Sequence, residues 1–307
     1  MSVIIPTKSR WSLLSTAALP SALAQEGVDL EVIVVDDGSV DETSERLEAL
    51  ADPRVRVVRH DRSRGVAAAR NAGIAVARAP WTAFLDDDDL WSPRKLAVQI
   101  AALEHTGASF AYCSVVVLAE DGTPTELLRA PPAADLVELL RRRSAIPAGS
   151  SSVVAGTALL RRVGGYDDRL TYLEDWDLWI RLLMHEQAVA CEEVLVAYVR
   201  HPLRMLGGAA SVAVLTQLRD KHGSARFEPD MRSLLGWIAA EHRRGGHRRD
   251  AVSIYARTAW NHRDAAPLVH AAATIVDWRG RGLRRLLRPR HAPPAHVVPA
   301  PDWLRGP

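Results

Sequence analysis

Three stretches of this sequence gather carboxylates where an apolar run or a glycine turn ends. Trp81-Thr-Ala-Phe-Leu85 runs into Asp86-Asp87-Asp88-Asp89, and Glu31-Val-Ile-Val-Val35 runs into Asp36-Asp37-Gly38-Ser39. The turn Gly164-Gly165-Tyr166-Asp167 precedes Glu174-Asp175-Trp176-Asp177. Four adjacent carboxylates repel one another, and a divalent cation relieves the repulsion. Hard ions such as Mg2+ or Mn2+ take oxygen ligands, commonly one or two protein carboxylates completed by substrate phosphates. Strand geometry carried into the run would set Asp86 and Asp88 on one face. A carboxylate at Asp37 can accept a ring N–H of a nucleobase, and one at the start of the third stretch can serve as general base. Each stretch also has a structural account. Asp-Gly turns and serine caps are common, acids at a helix start suit its dipole, and an acidic turn can cap a helix beginning near Ser92.

The elements that must position these acids alternate between strand and helix. Val3–Ile5, Glu31–Val35, Arg54–Arg59 and Trp81–Leu85 read as short buried strands. The run 31–35 is too short for a helix and apolar enough for a parallel strand. Helical spacing covers Trp11–Gln25, Asp41–Leu50, Val66–Ala77 and Pro93–His105, with Ser39 and Glu42 at capping-box spacing. This alternation predicts an α/β sheet with ligands at the carboxyl ends of its strands. Phe110–Leu118 reads as a further strand, with Thr125–Arg129 pairing back across the Asp121-Gly122 turn. Residues 130–150 read as a mobile stretch holding one short helix. Glu174–His185 reads as a helix with the stripe Trp176, Trp179, Ile180 and Leu183, and Val194–Val199 as the last strand. From Gly207 onward the pattern is helical, with Met231–Arg244, Arg248–His262 and Pro267–Val276, and a Pro-rich tail from Pro289 is expected to be disordered.

With 307 residues, 48% hydrophobic and 25% charged, the chain can bury a core. Net charge is +2, which argues against binding nucleic acid by overall charge, yet it is unevenly spread. Residues 200–307 hold 19 Lys and Arg against 8 acids, and residues 1–199 hold 20 against 29. Two parts with different jobs are therefore expected. Cys113 and Cys191 lack metal or redox spacing and read as small core residues in a reducing compartment. Val3-Ile4-Ile5 is too short for a secretory leader, and no window has the roughly 18 apolar residues of a spanning helix. The expectation is a cytoplasmic protein, possible as a peripheral one at the inner face of a membrane.

The three acidic stretches occur in one order with further pieces. These are Val3-Ile-Ile-Pro-Thr7 with Arg10, Gly65-Val-Ala-Ala-Ala-Arg-Asn-Ala-Gly73, and Phe84-Leu-Asp-Asp-Asp-Asp-Leu-Trp91. In order and spacing, residues 1 to about 200 resemble the inverting glycosyltransferases of family 2. The resemblance implies the GT-A fold, a Rossmann-like, mostly parallel mixed sheet flanked by helices, here with a C-terminal helical region. It implies a catalytic domain over 1–205, helices over 206–288 and a tail over 289–307. By position, Pro6 and Thr7 would line the nucleotide pocket, Asp37 would bind the base, and Arg70 would contact the donor. Asp86, Asp87 and Asp88 match the family's DxD element, with Asp88 as the metal ligand, Asp86 as a second one, and Asp86 and Asp87 near the sugar nucleotide. Asp175 matches the general base. His201, after Val196-Ala-Tyr-Val-Arg200, would add a metal or phosphate contact.

That resemblance implies an enzyme that moves a sugar from a UDP-, dTDP- or GDP-sugar to an acceptor hydroxyl. Mn2+ or Mg2+ would be the cofactor, and a glycan or lipid-linked molecule the acceptor, in polysaccharide or cell-envelope synthesis. Lys8-Ser9 replaces the family's usual Tyr-Asn, and Asp87 fills a place usually held by a small residue. The basic run Arg279–Arg288, with Leu283, Leu286 and Leu287, could lie on an anionic membrane or be a solvated helix. No nucleic-acid module accompanies it. The alternatives are a nucleotidyltransferase, for which Pro6-Thr7-Lys8-Ser9 lacks a Gly-rich phosphate loop, and a sugar-nucleotide-binding protein without catalysis.

Overall fold

The computed structural model describes residues 1–199, 208–244, 246–262, 266–278 and 299–304, which fall into two compact units. The first comprises residues 1–140, 144–200 and 298–307, and is built on a nine-stranded mixed sheet. Its strands are β1 (Ser2–Thr7), β2 (Glu31–Asp36), β3 (Val55–Arg59), β4 (Trp81–Phe84), β5 (Leu90–Trp91), β6 (Phe110–Leu118), β7 (Pro124–Leu128), β8 (Val154–Gly156) and β9 (Ala188–Val199). They lie in the order β3-β2-β1-β4-β8-β6-β9-β5, and β7 pairs with β6. β3, β2, β1 and β4 are mutually parallel, so their carboxyl ends share one edge. The β-branched runs explain this half: Val3, Ile4, Ile5 and Val32 through Val35 are fully buried, as strands covered on both faces must be.

Antiparallel β8 joins this half to β6, β7, β9 and β5. β9 runs parallel to β6 from Ala188, beginning six residues before the strand expected at Val194. Cys113 and Cys191 are register partners there, buried and unbridged, as expected of core residues. Helices Val66–Val76, Lys95–Thr106, Thr157–Arg162 and Glu174–Leu183 flank the sheet.

Four expectations fail locally. Ser39 does not cap the helix Thr43–Glu48, because its hydroxyl accepts the Ser9 N–H at 2.8 Å. Asp86 and Asp88 do not share a strand face, because β4 ends at Phe84 and the acids sit in a turn. The stretch 130–150 expected to be mobile ends in a buried turn, Gly149–Ser152, where Ser150 is 2% exposed. Residues 299–304 belong to the first unit, where the Trp303 indole donates to the Val194 carbonyl at 2.9 Å. Residues 289–298 and Arg279–Arg288 lie outside the described residues.

The second unit, residues 141–143 and 201–297, contains helices Gly208–His222, Met231–Arg244, Arg248–His262 and Ala266–Trp278. Ile238, Ala239, Ala251, Tyr255 and Ala271 are among its buried side chains, and Tyr255 stacks on His270 with centroids 5.4 Å apart.

Candidate active site

The site forms where the parallel strands end. Thr7 closes β1, and its hydroxyl donates to Asp87 Oδ2 at 2.8 Å. Arg10 spans two acids of the run, donating to Asp87 Oδ1 at 2.6 Å and to Asp88 Oδ2 at 2.7 Å. Asp87 and Asp88 are both buried. Burial raises the Asp87 carboxyl to about 6, against the opposing pull of Arg10. Asp89 plays a structural part, since it is fully buried and accepts the Ser151 hydroxyl and the Val199 N–H. Pro6 is buried inside β1 opposite Val35.

Arg70 connects the acidic run to the third stretch. Its helix, Val66–Val76, turns the guanidinium so that one end donates to Asp86 Oδ1 and the other to Glu174 Oε1, each at 2.7 Å. The guanidinium carbon lies 5.2 Å from the centroid of the Tyr166 ring, within cation–π range. Tyr166 is held by the next residue of that helix: Asn71 donates to its carbonyl and accepts its N–H, both at 2.8 Å. A Cβ at Gly165, where φ is +67°, would overlap Asn71 Oδ1, so this pair of hydrogen bonds favours glycine there. Arg70 is 4% exposed, with both terminal nitrogens engaged by carboxylates and its buried Nε without a hydrogen-bond partner.

Asp175 follows Glu174 at the start of the helix Glu174–Leu183 and is half-buried. Burial and then the neighbouring Glu174 charge push its carboxyl up to about 7, while Arg70 and a 2.6 Å bond from the Trp176 N–H pull the other way. A carboxylate so raised is a stronger base than an ordinary aspartate.

Asp37, the expected base contact, is engaged by its own loop in this structure. Its carboxylate accepts four donors: His60 Nδ1 and the Ser63 hydroxyl at 2.7 Å, the Arg64 N–H at 2.8 Å and the Gly65 N–H at 2.9 Å. Burial acts to raise its pKa, but these bonds outweigh it and hold the carboxyl below its ordinary value. Asp37 thus folds the loop 60–65, and its neighbour Asp36 is buried against the Ser39 N–H and the Ser44 hydroxyl.

Thr7, Asp86, Asp87, Asp88, Arg70, Glu174 and Asp175 are therefore linked within one region of the first unit, whereas Asp37 is turned to its own loop. His201 lies outside the described residues. Sequence reasoning missed Gly149, Ser150 and Ser151, which contact this region, and His60; short polar residues in a Pro/Ala/Ser stretch carry no periodic signal.

The acids fit a divalent cation in one respect. Asp87 and Asp88 converge on a single positive group, the Arg10 guanidinium, as two oxygen donors would on a hard ion. Among the described residues no three or more His, Cys, Asp or Glu are grouped to hold a metal ion by themselves. Phosphate oxygens would have to complete the shell, as is usual for Mg2+.

A mixed sheet with acids at the ends of its parallel strands, linked through Arg70 to a second acidic pair, is the arrangement expected of the GT-A fold. The family model for Glycosyl transferase family 2 matches residues 2–164, and the chain belongs to that family. It is 49% identical over 105 residues to the succinoglycan biosynthesis protein ExoO of Rhizobium meliloti, covering 34% of this chain and 30% of that protein. It is 28% identical over 169 residues to WfaP of Escherichia coli, a UDP-Glc:alpha-D-GlcNAc-diphosphoundecaprenol beta-1,3-glucosyltransferase, covering 54% of this chain and 64% of that one. The match thus spans less than two thirds of either relative. Among solved structures, S. aureus TarS 1-349 in complex with UDP-GlcNAc aligns over 90% of this chain and 88% of its own, with TM-score 0.60 at 16% identity. The mannosyltransferase PcManGT from Pyrobaculum calidifontis, in complex with GDP-Man and Mn2+, aligns over 92% and 75%, with TM-score 0.54 at 19% identity. At these identities the likeness shows the fold.

Proposed function

We propose that this glycosyltransferase transfers a sugar from a nucleoside-diphosphate donor to an acceptor hydroxyl with inversion at the anomeric carbon. One observation carries the reading: Arg70 ties Asp86, in the acidic run, to Glu174, the neighbour of Asp175. That link supports assigning the residues suited to a diphosphate and the residue suited to a proton to one site.

In this reading Asp175 takes the proton of the acceptor hydroxyl as that oxygen attacks the anomeric carbon. Asp88, with Asp86, would hold Mn2+ or Mg2+, which would neutralise charge developing on the departing diphosphate, and Asp87 would lie near the sugar nucleotide. Thr7 and Arg10 set the carboxylates of that run, and Arg10 can turn from them toward a diphosphate. Pro6 and Thr7 border the nucleotide, and Asp37 shapes its pocket through the loop 60–65. Sequence kinship with ExoO and WfaP supports polysaccharide or cell-envelope synthesis, with a glycan or a lipid-linked acceptor. Residues 1–205 form the catalytic domain in this reading. No described helix is long and apolar enough to cross a membrane.

The test is a thermal-shift and calorimetric panel of UDP-, dTDP- and GDP-sugars with Mn2+ and with EDTA, repeated on Asp175→Asn. Donor binding that needs the cation and survives in Asp175→Asn, with turnover reduced about a thousandfold, is the expected result. Equal binding in EDTA removes the cation role, and full turnover in Asp175→Asn moves the base elsewhere.

A further inference from the structure

The turn Gly149–Ser152 touches both acidic clusters of the site. On one side, Gly149 has φ +49° and carries no side chain where Asp175 Oδ2 sits, and a Cβ built there would overlap that oxygen. Next, the Ser150 hydroxyl is 2.9 Å from the Tyr166 hydroxyl, and the Tyr166 ring backs the Arg70 guanidinium. On the other side, the Ser151 hydroxyl accepts the Asp86 N–H at 3.0 Å and donates to Asp89 Oδ2 at 2.6 Å. The Ser151 carbonyl accepts the Trp91 indole N–H at 2.8 Å, and the Ser152 carbonyl accepts the Gln99 amide at 2.8 Å. All three serines are buried, so the turn is fixed from below by the core and bounded above by the acids.

We infer that this turn sets the distance between the proton acceptor and the diphosphate-holding acids, with Gly149 positioning Asp175 and Ser151 positioning Asp86. The inference rests on the functional reading above and goes beyond it, because neither residue is part of the acidic motifs. Gly149 acts by leaving room: only without a Cβ can the carboxylate lie over the turn. Ser151 acts as a two-way tie, holding the first and last acids of the run so that the middle two are presented.

Gly149→Ala and Ser151→Ala test the two halves. UDP, dTDP and GDP are titrated with Mn2+ by calorimetry, and hydrolytic nucleoside-diphosphate release, with water as the acceptor, is followed with UDP-glucose, UDP-GlcNAc and GDP-mannose. Gly149→Ala is expected to lower kcat about tenfold or more, with nucleotide Kd and donor KM unchanged. Ser151→Ala is expected to weaken Mn2+-dependent nucleotide binding about tenfold. A melting-temperature cycle needs no turnover: the loss caused by Gly149→Ala should shrink in an Asp175→Ala background, where the space is vacated. Wild-type kcat in Gly149→Ala, or equal melting loss in both backgrounds, overturns the Gly149 role, and unchanged binding in Ser151→Ala overturns the Ser151 role. Wild-type protein that binds no nucleotide with Mn2+ overturns the functional reading and this inference together. Binding in the wild type with unaltered variants overturns the inference alone.

Discussion

Asp37 and His60, 23 residues apart, meet carboxylate to imidazole at 2.7 Å, and this contact is one of four that fasten the loop 60–65 to the end of β2. Asp37→Asn presents an amide N–H2 to groups that are themselves donors. The variant should lose loop order and weaken nucleotide binding about tenfold. Faster hydrogen exchange at the Arg64 and Gly65 amides would report the first effect, and calorimetry the second.

The same carboxylate gives a pH dependence. Its folded pKa lies below its unfolded value, so its stabilising contribution is complete above the unfolded value, about 3.9 for Asp. That contribution fades as pH falls through the folded pKa. Acid unfolding of the wild type should therefore begin at lower pH than that of Asp37→Ala.

Asp175 behaves with the opposite sign. Its carboxyl is raised to about 7 by burial and by Glu174, so turnover should climb with pH through neutrality. Glu174→Gln removes a neighbouring negative charge and should move this limb to lower pH. Arg70→Met removes the opposing positive charge and should move it up. A pH profile of kcat/KM for the three proteins checks both directions.

Because ionising Asp175 in the folded protein is unfavourable, its cost accrues as pH rises from the unfolded pKa to the folded one, and remains in full above it. Asp175→Asn removes the cost. Its melting temperature should exceed that of the wild type by more at pH 8 than at pH 5, as scanning calorimetry at the two pH values would show.

Arg10 occupies the acids that a cation would need. Arg10→Ala should bind Mn2+ alone several-fold more tightly than the wild type, because the competing guanidinium is gone. Titration of Mn2+ without nucleotide, by calorimetry or electron paramagnetic resonance, decides this. Weaker binding would show that Arg10 shares the ion's shell.

The strands and acids of this site were legible for a physical reason. Runs such as Val32–Val35 have one stable environment, a covered parallel sheet, and the carboxylates after them stand where such a sheet places ligands. What joins those acids was not legible. Arg70 meets Glu174 across 104 residues, and no periodicity marks such a pair. Ser150 and Ser151 read as loop because their worth lies in hydroxyl partners contributed by Tyr166 and Asp89. Asp86 and Asp88 part company because their positions obey a turn, not the strand before it. The excess of Arg after residue 200 falls largely on the residues of the second unit, but composition could not tell that residues 299–304 return to the first.

That return has a practical result. Trp303 and Leu304 pack against Val116, Leu118 and Ala197, so a gene trimmed after the last strand would uncover an apolar strip along β6 and β9. A shortened enzyme should keep residues 299–304, respliced through a flexible bridge, to remain in solution.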